Sequence, residues 1–243
     1  MKKFVLILGV MLLAAGAAHA TPSTQIWIPS TDIQPFKKVH FGFDQYIKTT
    51  RTDAGTRETS VINNGITVGV LPFEKVQAEV GIDQRSVSLE PYDSNPLYFN
   101  VKVGTPEGAL FKDSPAIAIG GYDFGTKKDL TDFNLIYGLV AKTLGPVGRV
   151  SVGYYVGNDK LLLDKDGAKD EAGILASWDR TMSEISDKLW LAIDYQGAEN
   201  GYGATSFGAA WKFAPNVGVI VGYDIFTNDA LEPTATFQVD IDF

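Results

Sequence analysis

The chain has 243 residues, no cysteine, 25 glycines, 45% hydrophobic residues and a formal charge of −8. Without cysteine there are no disulfides, no thiolate nucleophile and no thiolate metal site. The acidic balance lacks the basic footprint that nucleic-acid binding needs.

The chain opens with Lys2 and Lys3, an apolar run from Phe4 to Ala15, and the small-x-small triplet Ala18-His19-Ala20. This order predicts a secretory signal peptide over 1–20, cleaved near Ala20 to leave Thr21 first. Losing the two lysines takes the charge from −8 to −10. The apolar run is too short for a membrane anchor, and nothing after it reaches the length of a membrane helix. Residues 21–37 follow, broken by Pro22, Pro29 and Pro35 but carrying Trp27 between Ile26 and Ile28. This N-terminal extension is too greasy for a free tail and too interrupted for a clean strand. It is expected either to plug a lumen or to lie along a rim as a strand or strap.

From residue 38 to 243 the chain reads as about twelve strands, each alternating apolar and polar side chains. Val39, Phe41 and Phe43 alternate with His40 and Asp44 in the first. In the next three, Ile66, Val68 and Val70, then Val80 and Ile82, then Phe99, Val101 and Val103 take the apolar face. Glu79, Asp83 and Lys102 lie opposite. The fifth, Ala116 to Phe124, is poorly phased, as a β-bulge would make it. In the sixth, Phe133, Leu135, Tyr137 and Leu139 are read as the apolar face, with Lys142 opposite. Five more segments, near 150–156, 174–179, 189–195, 207–213 and 217–225, repeat the pattern. Arg149, Asp179, Asp194, Lys212 and Asp224 stand on their polar faces.

The last segment is the most regular. Ala235, Phe237, Val239, Ile241 and Phe243 alternate with Thr234, Thr236, Gln238, Asp240 and Asp242. It resembles the C-terminal strand of bacterial outer-membrane β-barrels, in which the terminal aromatic is read by the barrel-assembly machinery. The resemblance implies that Phe237, Val239, Ile241 and Phe243 form that assembly signal, that the chain resides in the cell outer membrane, and that lipid and lipopolysaccharide surround it. The expected fold is all-β, an antiparallel transmembrane barrel with an N-terminal extension. A soluble sandwich would bury the same apolar faces. Closing twelve strands, however, leaves an interior too wide for side chains to fill, so the apolar faces are expected to point outward.

Every second connection should then be a periplasmic turn. These are 72–74, 105–114, 144–148, 182–187 and 214–216, with 105–114 long enough for a short helix at the rim or in the lumen. Phe73, Trp178, Tyr195, Phe213, Tyr223 and Phe243 fall near strand ends, where interfacial aromatic girdles form.

The polar faces place Lys38, His40, Asp44, Glu79, Asp83, Lys102, Lys142, Arg149, Asp179, Asp194, Lys212 and Asp224 in the lumen. Lys38, Lys102, Lys142, Arg149 and Lys212 fall toward the periplasmic half, and Asp44, Asp83, Asp179, Asp194 and Asp224 toward the outer half. Opposed bands of this kind would set a transverse field across a narrow pore. Internal salt bridges closing the lumen are the other reading. Catalysis is not expected: after the leader is removed His40 is the single histidine, and it faces inward with no nucleophile in register. The segment Asp164-Lys-Asp-Gly167 fails the EF-hand frame, and no cofactor motif occurs.

Residues 114–126, Ser-Pro-Ala-Ile-Ala-Ile-Gly-Gly-Tyr-Asp-Phe-Gly-Thr, resemble a stretch of YjbH-like exopolysaccharide-associated barrels. That resemblance implies a structural or accessory role in polysaccharide export or surface assembly. The main expectation is a passive channel for small hydrophilic solutes through a narrow, mixed-charge lumen.

Overall fold

Alternating side chains on successive residues make a ribbon with two unlike faces, and twelve such ribbons close here into one barrel. The computed structural model describes residues 23–50, 55 and 60–243. The expected leader, residues 1–20, lies outside the described residues. The strands are β1 (Val39–Lys48), β2 (Val61–Gly69), β3 (Gln77–Ser86), β4 (Leu97–Thr105), β5 (Ala116–Gly125), β6 (Asp132–Thr143), β7 (Arg149–Val156), β8 (Ala172–Thr181), β9 (Leu189–Gln196), β10 (Ala204–Ala214), β11 (Val217–Phe226) and β12 (Thr234–Asp242). Each pairs antiparallel with its sequence neighbours, and β1 pairs with β12, so no edge is left unpaired.

The seam is in register from His40 opposite Asp242 to Lys48 opposite Thr234. It is also latched by side chains: His40 Nδ1 lies 3.0 Å from Asp242 and Nε2 lies 3.3 Å from Asp240. The lower rim, where β1 begins and β12 ends, carries the connections 70–76, 106–115, 144–148, 182–188 and 215–216. The upper rim carries 49–60, 87–96, 126–131, 157–171, 197–203 and 227–233.

Eleven strands turn their main apolar series outward, and midway residues such as Ile119, Val152 and Val221 are 57–59% exposed. A bare band of this kind is tolerable only against acyl chains or a partner. Phe73, Trp178, Phe213 and Phe243 fall near the lower edge of the band, and Tyr195 and Tyr223 nearer the upper. Phe237, Val239 and Ile241 on β12, and Phe243 just past its end, follow one another along the exterior.

β6 departs from the sequence reading. Leu135, Tyr137, Leu139 and Ala141 point inward and are buried, while Ile136 and Val140 take the outer face. Both faces of this strand are apolar, so alternation alone does not choose between them. Lys142, expected in the lumen, shares the face of Val140 and stands at the lower rim, where its ammonium is 2.7 Å from Glu107. The 106–115 connection that carries Glu107 is also not helical. It is a run of turns with Leu110 and Phe111 exposed at the rim. The one helical turn among the described residues, Gly145–Val147, belongs to the next lower connection.

The irregularity expected in β5 is present. Register shifts occur between Tyr122 and Phe124 against β6, and between Phe99 and Val101 against β4. Asp123 sits at the bulge with φ +56°, so three consecutive residues no longer alternate.

Candidate functional site

Residues 23–34 run through the inside of the barrel as a strap, and exposed residues 35–37 carry the chain out to the lower rim. Gln25, Ile26, Ile28, Ser30, Thr31 and Gln34 are all buried there. A chain segment without a sheet of its own needs partners for its backbone, and the lumen wall supplies them. Asp194 Oδ2 accepts from the amides of Ile26 (2.8 Å) and Trp27 (3.0 Å). Gln238 Nε2 donates to the Ile26 carbonyl at 2.7 Å, and Glu79 Oε2 accepts from the Gln34 amide at 2.7 Å. Lys102 donates to the Ser23 carbonyl at 3.0 Å. The strap leaves along β2 through a parallel bridge from Phe36 to Gly69. A Cβ at Gly69 would collide with the carbonyl oxygens of Gln34 and Pro35, so glycine is required at this crossing.

Side chains fix the strap on its other side. Ile28 packs on the inward apolar patch of β6–β8, formed by Leu135, Tyr137, Leu139, Tyr155 and Leu175, with Leu162 from an upper loop. Ile26 packs on Ala192 and Ile220. Trp27 meets Tyr46 and Phe226 edge to face at 5.3 and 5.5 Å, and its indole donates to the Tyr202 carbonyl at 2.8 Å. Arg149 Nη1 donates to both carboxylate oxygens of Asp32, at 2.7 and 2.8 Å, while its Nε donates to Asp179.

The sequence-derived lumen residues divide into three sets. His40, Glu79, Lys102, Arg149, Asp179, Asp194 and Asp224 are inside and engaged: Glu79 with Lys102 at 3.0 Å, Arg149 with Asp179 at 2.9 Å, and Asp224 with the Thr234 hydroxyl at 2.8 Å. Asp44, Asp83 and Lys212 also point inward and line open space. Lys38 and Lys142 do not. Lys38 is exposed on the lower rim just before β1, and Lys142 is on the outer face.

The expected opposed bands are therefore absent. Asp179, placed in the acidic band by sequence, sits opposite Arg149 in register, and the acidic half contains Arg85.

Arg85 and Asp123 were missed by the sequence reading. They form a bidentate pair at 2.7 and 3.0 Å, Arg85 also lies 4.5 Å over the Tyr98 ring, and the Tyr202 hydroxyl donates to Asp123. Burial, and next the Asp123 charge, hold the Tyr202 hydroxyl well above the usual tyrosine range, so it remains a donor. Arg85 shares the parity of Glu79 and Asp83 and was legible on that ground; Asp123 sits on the bulge, where parity fails.

The strap leaves two cavities. The upper one has a volume of about 440 Å³ and runs from Lys48, Val61 and Leu231 at the upper mouth down to His40, Thr67 and Lys102. Asp44, Asn63, Asp83, Asn100 and a set of aromatic rings line it. The lower one, about 120 Å³, is bounded by Asp32, Arg149, Lys188, Trp190 and Lys212. Both touch Thr24 and Asp240, so the strap is the partition between them. Among the described residues no group of three or more His, Asp or Glu is placed to hold a metal ion.

A closed antiparallel barrel with an apolar outer band and a polar lumen is the architecture of porin-type outer-membrane proteins. Solved structures bear this out at the level of the fold. The chain is similar to the KdgM porin (TM-score 0.53, 8% identity, covering 85% of this chain and 98% of that one), and equally to the KdgM porin in complex with disordered oligogalacturonate. The NanC porin superposes with a TM-score of 0.46 at 10% identity. No protein-family model and no curated protein matches the chain.

Proposed function

We propose that this protein is a passive outer-membrane channel for small hydrophilic solutes, narrowed by its own residues 23–34. The observation that carries the reading is the cavity of about 440 Å³, lined by charged, amide and aromatic side chains, that opens among upper-rim residues and reaches the lower half of a barrel whose exterior is apolar. An apolar wall facing lipid around a hydrated, charged interior is the arrangement that lets polar solutes cross a bilayer. In this reading residues 1–20 direct export and are removed near Ala20. Phe237, Val239, Ile241 and Phe243 present the assembly signal, the lower rim faces the periplasm, and the upper loops face lipopolysaccharide.

The salt bridges along the lumen position the strap and set the charge of the path. No chemical step is assigned to them. The test is single-channel recording in planar bilayers with protein whose folding is verified by heat-modifiable migration on a gel. Discrete conductance steps are expected. Folded protein that stays silent at every voltage refutes the channel.

A further inference from the structure

Resting on that channel reading, we propose that the lumen is cation-selective and that its preferred solutes are small organic cations bearing a protonated or quaternary amine. The first argument is the charge left over in the upper cavity. Glu79 is matched by Lys102 at 3.0 Å and Asp123 by Arg85 at 2.7 Å, while His40 sits between Asp240 and Asp242. Asp44 and Asp83 face the same cavity and, among the described residues, are in no ion pair, with Lys48 at the mouth above them. Asp83 is held by neutral donors, the amides of Asn100 at 2.6 Å and Asn63 at 3.4 Å. An ion passing this wall meets two carboxyl groups that no cationic side chain contacts among the described residues. Rings of such groups favour cations.

The second argument is the shape of the wall. Strand register sets Asp240, Gly42, Gly65 and Asp83 side by side across β12, β1, β2 and β3. The two glycines form a floor without side chains, and Asp83 leans over Gly65, where a Cβ would displace it. Asp44 stands two residues above Gly42 on the same face. The carboxylates thus border a recess and are not buried in packed contacts.

The third argument is what flanks the recess. On one side Trp27 of the strap, Tyr46 and Phe226 form an edge-to-face cluster. On the other, Tyr122 packs with Tyr137 and Tyr202 at centroid separations of 6.0 and 6.3 Å. Both clusters line the cavity. Ring faces attract cations and disfavour anions, and they give an alkylated amine a contact that strongly hydrated inorganic ions use poorly. Carboxylates between two aromatic walls therefore fit an amine with a short carbon skeleton.

The experiment is reversal-potential measurement on the full-length channel. In a potassium chloride gradient the potential should have the sign of cation preference. Under bi-ionic potassium chloride and choline chloride, choline should carry current at a permeability ratio above that of the two ions' free-solution mobilities. D44N/D83N should lower the cation-to-anion permeability ratio by at least about fivefold, the order expected for even one unit charge about 4 Å from an ion in a hydrated path. D44E/D83E should keep it. A conducting wild type with no cation preference, or a preference unchanged in folded D44N/D83N, overturns the selectivity. Exclusion of choline overturns the organic-cation assignment. A wild type that never conducts strikes the channel reading itself, a different result from either.

Discussion

Replacing Asp194 by alanine should loosen the strap while leaving the barrel closed. Asp194 is buried on β9, and its Oδ2 alone accepts the amides of Ile26 and Trp27, at 2.8 and 3.0 Å. Its Oδ1 has no partner among the described residues, so the side chain serves the strap and not the sheet. A hydrogen bond to a charged group contributes about 1.5–3 kcal/mol, and water entering the emptied site recovers part of the loss. The net cost to strap docking should be about 3 kcal/mol, which is roughly a hundredfold in the opening equilibrium. D194N keeps a carbonyl oxygen in place and should cost about 1 kcal/mol, or roughly fivefold. Hydrogen–deuterium exchange in detergent micelles reads this directly, because exchange of protected amides tracks local opening. Peptides covering 23–34 should exchange about a hundredfold faster in D194A, with β10 and β11 peptides as internal controls. Strap exchange within twofold of wild type would refute the anchoring role, and equal acceleration over the whole barrel would show that Asp194 supports the sheet instead.

Two further outcomes follow from the wall and the lower rim. Val221 lies midway along β11 and is 58% exposed, so V221R should reduce folding into lipid vesicles by about 2–4 kcal/mol, measured by the folded fraction in a urea titration; insertion as efficient as wild type would mean that this face does not meet acyl chains. At the lower rim, partial burial acts to raise Glu107. Lys142 and the Thr143 amide outweigh it and hold the carboxyl below its ordinary value of 4.5. A depressed carboxyl stabilises the folded rim fully above that ordinary value, and the contribution is lost as pH falls through the lowered one. Proteolysis of the 106–115 connection by an acid-active protease should therefore rise in that window for wild type, and E107Q should show high cleavage without the pH step.

Strand number, pairing order and the outward face of ten strands were legible because alternation is a local signal that a closed barrel enforces along its whole wall, the bulged β5 having been left unphased. β6 was not. Phe133, Leu135, Tyr137 and Leu139 outweigh Ile136 and Val140 in bulk, and bulk suggests lipid. What turns the heavier set inward is Ile28, more than a hundred residues away in sequence, which needs an apolar bed. Lys142 was misassigned with the strand it belongs to. Lys38 had the right parity but lies one residue before β1 begins, at the exposed lower rim. The charge bands failed for another reason: sequence places a residue at a height only by counting along its strand. Asp179 and Arg149 proved to be cross-strand partners at one height.

The inversion of β6 also explains where the open space lies. A lumen polar on every side would leave the strap free to run down the axis, dividing the interior evenly. Here one sector, β6 to β8, presents Leu135, Tyr137, Leu139, Tyr155 and Leu175, and leaving these wet would forfeit roughly 25 cal/mol for each Å² of apolar surface. Ile28 covers them, and the strap is drawn off-centre. Its outer backbone still needs acceptors and donors, which Asp194, Gln238 and Glu79 supply from other strands. The space that remains opens chiefly against β1 to β5, above the strap's contacts with Glu79 and Lys102, where Gly42 and Gly65 carry no side chains to fill it. The position of the cavity, and with it the choice of Asp44 and Asp83 as the carboxylates a solute meets, follows from one greasy strip on the opposite wall.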